Sequence, residues 1–347
     1  MKAITVYGPH DARMENVPKP AATGDMLVIK VKRTGVCATD LSIYTGESSF
    51  IRSGEIKYPC RFGHEYAGVV EEVGPEVKNF RPGDRVYTDN FATCGKCEAC
   101  LRGDYMSCPT IWSVGTVNCW DGCYAEYMQM PERHVYHLPD ELSMDEGALI
   151  EPASIAYDAF KGVTLTEQDT VVVYGPGAIG MISAWLAKYY GAGQVIVVGR
   201  SDEKLKRALE VGADAVINNK KVDALEKIGE LTGGKGANLV IETSGAAQAL
   251  RDSLNATARY GRISVISFYE RDLDAIPIDP LVLGCKSLVG AAGCYGNAPA
   301  VCEIMRKNPV KLTPIITHHV PFEGCLDVFE NEAKYHSEKI KIMIDFE

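Results

Sequence analysis

Val171-Val172-Val173-Tyr174-Gly175-Pro176-Gly177-Ala178-Ile179-Gly180 sets the pattern G-x-G-x-x-G directly after an apolar, β-branched run and at the mouth of a second apolar stretch. The run predicts a buried strand, the glycines a tight turn, and the residues through Lys188 a helix. In that setting the glycines let the backbone approach a pyrophosphate closely, and the N–H groups and dipole of the helix N-terminus attract it. Gly175, Pro176, Gly177, Ala178, Ile179 and Gly180 therefore read as a dinucleotide-binding turn, against the plainer reading of a Gly-rich bend.

Downstream the same rhythm repeats. Gln194 to Val198 leads into a helix from Asp202 to Val211, Ala237 to Ile241 leads into a helix from Ala246 to Ala258, and Gly261 to Ile266 follows. Strands alternating with helices predict a parallel, doubly wound α/β sheet of Rossmann type. The second strand bears on which dinucleotide is bound. An NAD site expects a carboxylate about 20 residues after the glycines to accept the ribose hydroxyls, but this strand ends Gly199-Arg200-Ser201. Loss of the acid and gain of a guanidinium favour a 2′-phosphate, so NADP is expected over NAD, with Gly199, Arg200 and Ser201 at the cofactor. Arg200 as a solvated surface charge is the competing reading, and Asp202 stands where it could still reach the ribose.

Upstream, residues 1 to about 150 read as short strands broken by turns, as in Leu27 to Val31 and Ala67 to Val73 with breaks at Gly74-Pro75 and Pro82-Gly83. This half is expected to be all-β and barrel-like. After about residue 290 helix and strand mix, and Lys339 to Ile344 is expected to pair with the first half. At 347 residues, and about 150 per domain, the chain is long enough for two domains. With 36 basic and 46 acidic residues, net −10, it offers no basic surface for nucleic acid or anionic membrane. No apolar run approaches a membrane span of ~20 residues, and no signal segment is seen at the N-terminus, so a cytoplasmic location is expected.

Twelve cysteines are present. Cys94, Cys97, Cys100 and Cys108 form C-x2-C-x2-C-x7-C, a spacing that suits a closed tetrahedral zinc better than disulfides, which two-residue gaps strain. Cys60, Cys119, Cys123, Cys285, Cys294, Cys302 and Cys325 are scattered, and each is expected to be a small buried hydrophobe. A second set is mixed: Cys37-Ala38-Thr39-Asp40, Gly63-His64-Glu65 and Glu151-Pro152 supply a thiolate, an imidazole and carboxylates. Such a set suits a catalytic zinc that keeps one position open. Taken singly, His64 reads as a core histidine and Glu65 or Glu151 as a surface carboxylate.

Gly63-His64-Glu65 with Ala67-Gly68, Gly74 and Val77, the Cys37-Ala38-Thr39-Asp40 turn, Phe80-Arg81-Pro82-Gly83-Asp84-Arg85-Val86, the cysteine string and the glycine fingerprint together resemble the zinc-dependent medium-chain dehydrogenase/reductase family. Glu151-Pro152-Ala153 and Glu65 make the chain most similar to its polyol, sugar and threonine dehydrogenase branch. The resemblance implies a GroES-like β-barrel catalytic domain over residues 1–152 and 290–347, with a structural zinc lobe near 90–110, and a Rossmann domain over 153–289. It implies two zinc ions per subunit. Cys37 and His64 would hold the catalytic one with Glu65 or Glu151, the other carboxylate lying nearby, while Asp40 orients His64 and the Thr39 hydroxyl passes the alcohol proton toward solvent. The expected reaction is hydride transfer between a secondary alcohol of a polyol, sugar or cyclitol, or its ketone, and NADP. A 3-hydroxy amino acid or a simple secondary alcohol is the alternative substrate. A zinc-stapled nucleotide sensor is the non-enzymatic alternative, opposed by the intact Cys37, Thr39 and His64. Tyr44, Phe50 and Trp112 are candidate substrate contacts, with core packing the competing reading. The family implies a homo-oligomer, tetramer or dimer, for which Leu281 to Ala292 is a candidate pairing strand, with an internal strand the competing reading.

Overall fold

The computed structural model describes residues 1–291, 296–335 and 338–347. The chain divides into two compact units, one of Met1–Glu151, Cys294–Arg306 and His318–Glu347, the other of Pro152–Gly293 and Lys307–Thr317.

The first unit is built on an antiparallel sheet. Its strands run Ile316–Pro321, Lys341–Asp345, Met26–Gly35, Glu65–Val73, Arg85–Thr88 and Val135–His137 in spatial order, and Tyr127–Pro131 also pairs with Met26–Gly35. Alternating apolar residues of Met26–Gly35 and its neighbours turn inward, so Leu27, Ile29, Val31, Val70 and Met128 share one core with Ile4 and Val6. An aromatic cluster closes it, with Phe62 4.8 Å from Tyr124 and 4.9 Å from Phe329 between ring centres. Met343 pairs opposite Gly35 and Asp345 opposite Arg33, so both ends of the chain build the sheet that carries Cys37, His64 and Glu65.

The second unit is a parallel sheet flanked by helices, numbered here within the unit. Its strands are β1 (Thr170–Tyr174), β2 (Gln194–Gly199), β3 (Ala215–Asn218), β4 (Ala237–Glu242), β5 (Thr257–Val265) and β6 (Ser287–Gly290), in the spatial order 3-2-1-4-5-6. Helices α1 (Ala178–Tyr189), α2 (Asp202–Glu210), α3 (Ala224–Leu231) and α4 (Ala247–Ala256) connect them. Strand β1 is central and continuously apolar, as a strand covered on both faces must be.

Two expectations are corrected and a third is located more finely. Residues 307–317 were expected with the first unit but belong to the second: the Trp185 indole N–H donates to the Val310 carbonyl at 2.7 Å and Arg207 to that of Pro314 at 3.1 Å. The boundary near residue 152 falls inside the helix Met144–Asp158, between Glu151 and Pro152. The stretch from Leu281, expected to be a strand, opens as a helical turn over Asp279–Leu283, because Pro280 fits a first turn. The strand starts only at Ser287, and Ala292 lies outside the described residues. Among these, no helix is long and apolar enough to cross a membrane.

Candidate active site and metal centres

Cys37 ends the turn after Met26–Gly35 and caps the helix Ala38–Thr45. Its backbone N–H donates to the Asp40 carboxylate at 3.0 Å, and the Tyr124 hydroxyl donates to the same oxygen at 2.8 Å. The other Asp40 oxygen faces His64 Nδ1 at 3.4 Å, and neither buried atom makes an aligned hydrogen bond. Burial pushes the His64 pKa down, but the charges of Asp40 and Cys37 outweigh it and hold the ring well above its ordinary value. A sulfur, an imidazole and a carboxylate thus converge where positive charge is favoured, as in a cation site.

Glu65 completes this set: ligand atoms of Cys37, His64 and Glu65 lie within 4.8 Å of one another. Its carboxylate packs so closely on Gly35 that a Cβ there would stand 2.0 Å from Oε2. Lys341, which sequence reading overlooked, donates to both Glu65 oxygens at 2.7 Å and to the Val36 carbonyl at 3.1 Å. Glu65 is 1% and Lys341 3% exposed. Burial presses the Lys341 pKa down, while Glu65, Cys37 and Glu151 raise it above the ordinary value. Glu151 is also buried but is not part of the 4.8 Å set. Asn90 Nδ2 donates to it at 2.8 Å, and burial pushes its pKa up to about 7, with Glu65 adding to the rise and His64 and Lys341 opposing it. Thr39 is half-buried on the first turn of the helix. Sulfur, imidazole and oxygen donors on two segments, Cys37 on one and His64-Glu65 on the other, fit a zinc with an open position.

The lobe is different in kind. Cys94, Cys97, Cys100 and Cys108 also lie within 4.8 Å of one another, with Cys94 3.8 Å from Cys100 and 3.7 Å from Cys108 between sulfurs. Four thiolates about 2.3 Å from a central zinc would be separated by about 3.8 Å along the tetrahedron's edges, whereas disulfides close to about 2.05 Å. Backbone N–H groups of Cys97 and Cys100 point at Cys94 and Cys97 sulfur, each at 3.4 Å. N–H groups of Lys96 and Cys97 draw the Cys94 thiol down to about 6, so a thiolate is present at neutral pH. Behind the lobe, Thr93 Oγ1 lies 2.9 Å from His134 Nε2, and His134 Nδ1 3.3 Å from Asp89. Asp89 precedes Asn90, the partner of Glu151.

In the second unit the three glycines differ. Gly175 has φ +105°, open to glycine alone at no cost. A Cβ on Gly180 would meet the Gly175 carbonyl at 1.8 Å, so close packing of α1 on the turn excludes a side chain. Gly177 caps α1 with nothing within 4 Å of where a Cβ would be. Open space before the first N–H groups of a 12-residue helix fits a pyrophosphate, with Pro176, Ala178 and Ile179 forming the rest of the turn. The Thr243 hydroxyl, a second contact that the sequence did not flag, bonds the carbonyls of Tyr174 and Gly175 at 2.8 and 3.1 Å.

Arg200 is exposed at the end of β2, and Ser201 caps α2 by accepting from Lys204 N–H. Gly199 has its own steric reason: a Cβ would stand 2.4 Å from Pro176 Cγ, so an acid there would collide with the turn. Asp202, left open as a ribose contact, is taken by Asn218 and Lys221, each at 2.7 Å.

Of the aromatic candidates, Tyr44 is buried 5.9 Å from Phe329 between ring centres, and Phe50 packs on the same core. Trp112 is half-buried beside Trp120, ring centres 5.6 Å apart. Every described cysteine is free. Cys60, Cys123, Cys302 and Cys325 are buried as expected, but Cys119 is half-buried, packed against the edge of the core, and Cys285 is exposed. Cys294 lies outside the described residues.

Comparison with known proteins gives the family. Residues 23–140 match the family model of the alcohol dehydrogenase GroES-like domain and residues 178–307 that of the zinc-binding dehydrogenase. The chain is 31% identical to sorbitol dehydrogenase of Bacillus subtilis over 99% of its length and 97% of the relative's. It is 32% identical to L-threonine 3-dehydrogenase of Bacillus licheniformis over 99% of each. The solved structure of 2R,3R-butanediol dehydrogenase from Bacillus subtilis superposes with a TM-score of 0.87 at 28% identity, over 99% of both chains.

Proposed function

The chain belongs to the zinc-dependent medium-chain dehydrogenase family, in its polyol and threonine dehydrogenase branch, and from that premise we propose that it moves a hydride between a secondary alcohol of a polyol, sugar or cyclitol and NADP. The observation that carries this reading is the meeting of half-buried Cys37 with buried His64 and Glu65, with a further carboxylate, Glu151, close behind.

Cys37, His64 and Glu65 would hold the catalytic zinc. When bound, zinc supplies Lewis acidity that lowers the pKa of an alcohol oxygen from ~16 toward 7. Asp40 fixes the tautomer of His64 by facing Nδ1, leaving the other nitrogen to ligate. Thr39, two residues from Cys37 and half-buried, takes up the alcohol proton and passes it toward solvent. Lys341 balances the Glu65 charge, so this carboxylate can sit in a buried site without a net anion. Glu151, held by Asn90, is the carboxylate poised to exchange with Glu65. Cys94, Cys97, Cys100 and Cys108 would hold a second, closed zinc.

The cofactor turn receives the pyrophosphate at Gly177 and α1, and Arg200 meets the 2′-phosphate. That β2 has no acid, and that Asp202 is occupied by Lys221, supports NADP. Arg200→Leu should reduce the preference for NADP over NAD at least tenfold in kcat/KM, and an unchanged ratio would remove the assignment. The likeness to L-threonine 3-dehydrogenase keeps a 3-hydroxy amino acid as a second reading. A panel of polyols, sugars, cyclitols, 3-hydroxy amino acids and simple alcohols, assayed with both cofactors, separates the two; elemental analysis giving two zinc ions per chain separates an enzyme from a zinc-stapled sensor.

We place the protein in a reducing cytoplasm, consistent with its unpaired thiols, and assign it a homo-oligomeric state. Strand β6 is an edge strand, and Leu288, Val282 and Leu283 on and before it are 42%, 67% and 77% exposed, a surface a second copy would cover. Light scattering that returns a monomer would overturn this.

A further inference from the structure

The Cys119 sulfur lies beside the carbonyl of Arg61, the residue next to Cys60, so inside the first unit the Cys60 and Cys119 thiols are close enough to perturb one another, and neither belongs to a metal set. Cys60 is buried and held firmly, its backbone bonded to Val6 in both directions at 2.9 and 3.0 Å. Cys119 reaches it on unusual backbone: Asn118 and Cys119 follow one another at φ +53° and +38°, a left-handed region that costs a residue with a Cβ about 1–2 kcal/mol. Glycine would bear no such cost, yet the chain carries a thiol there. Cys119 Sγ lies 3.5 Å from the Arg61 carbonyl. The residue is half-buried and lines a cavity of about 480 Å³ with Arg61, Trp120 and Asp121.

The two thiols are therefore unequal. Hydrogen bonding from Cys60 draws the Cys119 thiol below its ordinary value, against the opposing effects of burial and Asp121. The same bond, reinforced by burial, pushes the Cys60 thiol far up. Cys119, the half-buried residue that lines the cavity, is the nucleophile, and the buried Cys60 keeps its proton.

We propose that Cys60 and Cys119 form a reversible, hydroperoxide-sensitive dithiol, a modification site separate from both metal centres. The Cys119 thiolate attacks one peroxide oxygen, the O–O bond breaks, and a sulfenic acid forms as the other oxygen leaves as hydroxide or alkoxide. The Cys60 sulfur then attacks Cys119 sulfur; an S–S bond forms, the S–O bond breaks, and the Cys60 proton leaves with the hydroxyl as water. The two thiols give up two electrons and the peroxide takes them. The product ties Cys60, just ahead of Gly63-His64-Glu65, to the loop that runs into Gly122, whose N–H already bonds the Arg61 carbonyl at 3.1 Å.

The zinc-loaded protein, treated with hydrogen peroxide and then alkylated, tests this after combined tryptic and chymotryptic digestion. Cleavage at Lys57 and Arg61 frees Tyr58–Arg61, and cleavage at Trp112 and Trp120 frees Ser113–Trp120, each with one cysteine. The expected product is these two peptides joined, at their summed mass less two hydrogens, and parted by dithiothreitol. In Cys60→Ser, dimedone should label Ser113–Trp120, because the sulfenic acid has lost its resolving thiol. Recovery of both peptides separately alkylated after peroxide, or Cys119 joined to a different cysteine, would overturn the proposal, and an unlabelled Cys119 in Cys60→Ser would overturn its role as the attacking thiol.

Discussion

The cysteine lobe and the Cys37–His64–Glu65 centre suit the same metal in opposite ways. The lobe draws all its donors from Cys94 to Cys108, two of them half-buried, with sulfurs held open by backbone N–H groups of the same loop. The other centre gathers donors from separate strands and turns in a buried setting, and it carries charge in excess: Asp40, Glu65 and Glu151 against His64 and Lys341. A local loop can satisfy a metal by spacing alone. A site meant to take an exchangeable ligand has to be assembled by the fold, and its surplus charge has to be balanced by residues that touch neither metal nor substrate.

The largest expected effect falls on that assembled centre. Cys37→Ser should lower kcat by about 10³ or more, since several kcal/mol of Lewis-acid stabilisation disappear at about 1.4 kcal/mol per decade, while fluorescence titration shows NADPH binding unchanged. Retained turnover would end the contrast between the two centres. Next is the buried pair. Lys341→Met leaves Glu65 uncompensated and should cost about 3–5 kcal/mol in urea unfolding of the metal-free protein; adding Glu65→Gln should restore most of it, and a lone Lys341→Met with parental stability would show that the pair carries no such burden.

A smaller effect follows from Glu151. Its folded-state pKa, about 7, lies above the 4.5 of an unfolded carboxyl, so the folded chain holds this proton more tightly. The contribution to stability is complete below about pH 4.5 and is lost as pH rises through 7, about 3 kcal/mol in all at this burial. Glu151→Gln should flatten that slope in metal-free protein, and an unaltered pH profile would refute it. The smallest effect on turnover is expected at the lobe. On the proposed two-zinc reading, Cys97→Ser should reduce bound zinc from two to one per chain and lower the melting temperature, yet leave kcat per remaining catalytic zinc near the parent's. A loss comparable to that of Cys37→Ser would mean the lobe acts on the chemistry, through Thr93, His134, Asp89 and Asn90 to Glu151.

Both metal sets were visible in the chain, but unequally. C-x2-C-x2-C-x7-C is a short-range pattern, so its geometry could be anticipated from spacing. Lys341 could not, because it is separated from Glu65 by 276 positions and sits in what reads as an ordinary alternating strand. Asn90 and Thr243 escaped for the same reason: an amide and a hydroxyl become functional only when the fold aims them at Glu151 and at the Gly175 turn. Gly199 was legible as a missing acid but not as a steric necessity, which appears only when Pro176 is seen 2.4 Å from where a Cβ would be.

The sequence by itself determined the α/β unit, the glycine turn, the four-cysteine string and the candidate donors Cys37 and His64 with Glu65 or Glu151 as alternatives, because each rests on residue type and on spacing within a turn, a strand or a helix. Tertiary structure alone decided that Glu65 is the carboxylate gathered with Cys37 and His64, that Lys341 neutralises it, and that Cys119 packs beside Arg61 on the core that holds Cys60. Those outcomes depend on burial and on charges brought together across the sheet, and the energies that matter there arise only once water is excluded.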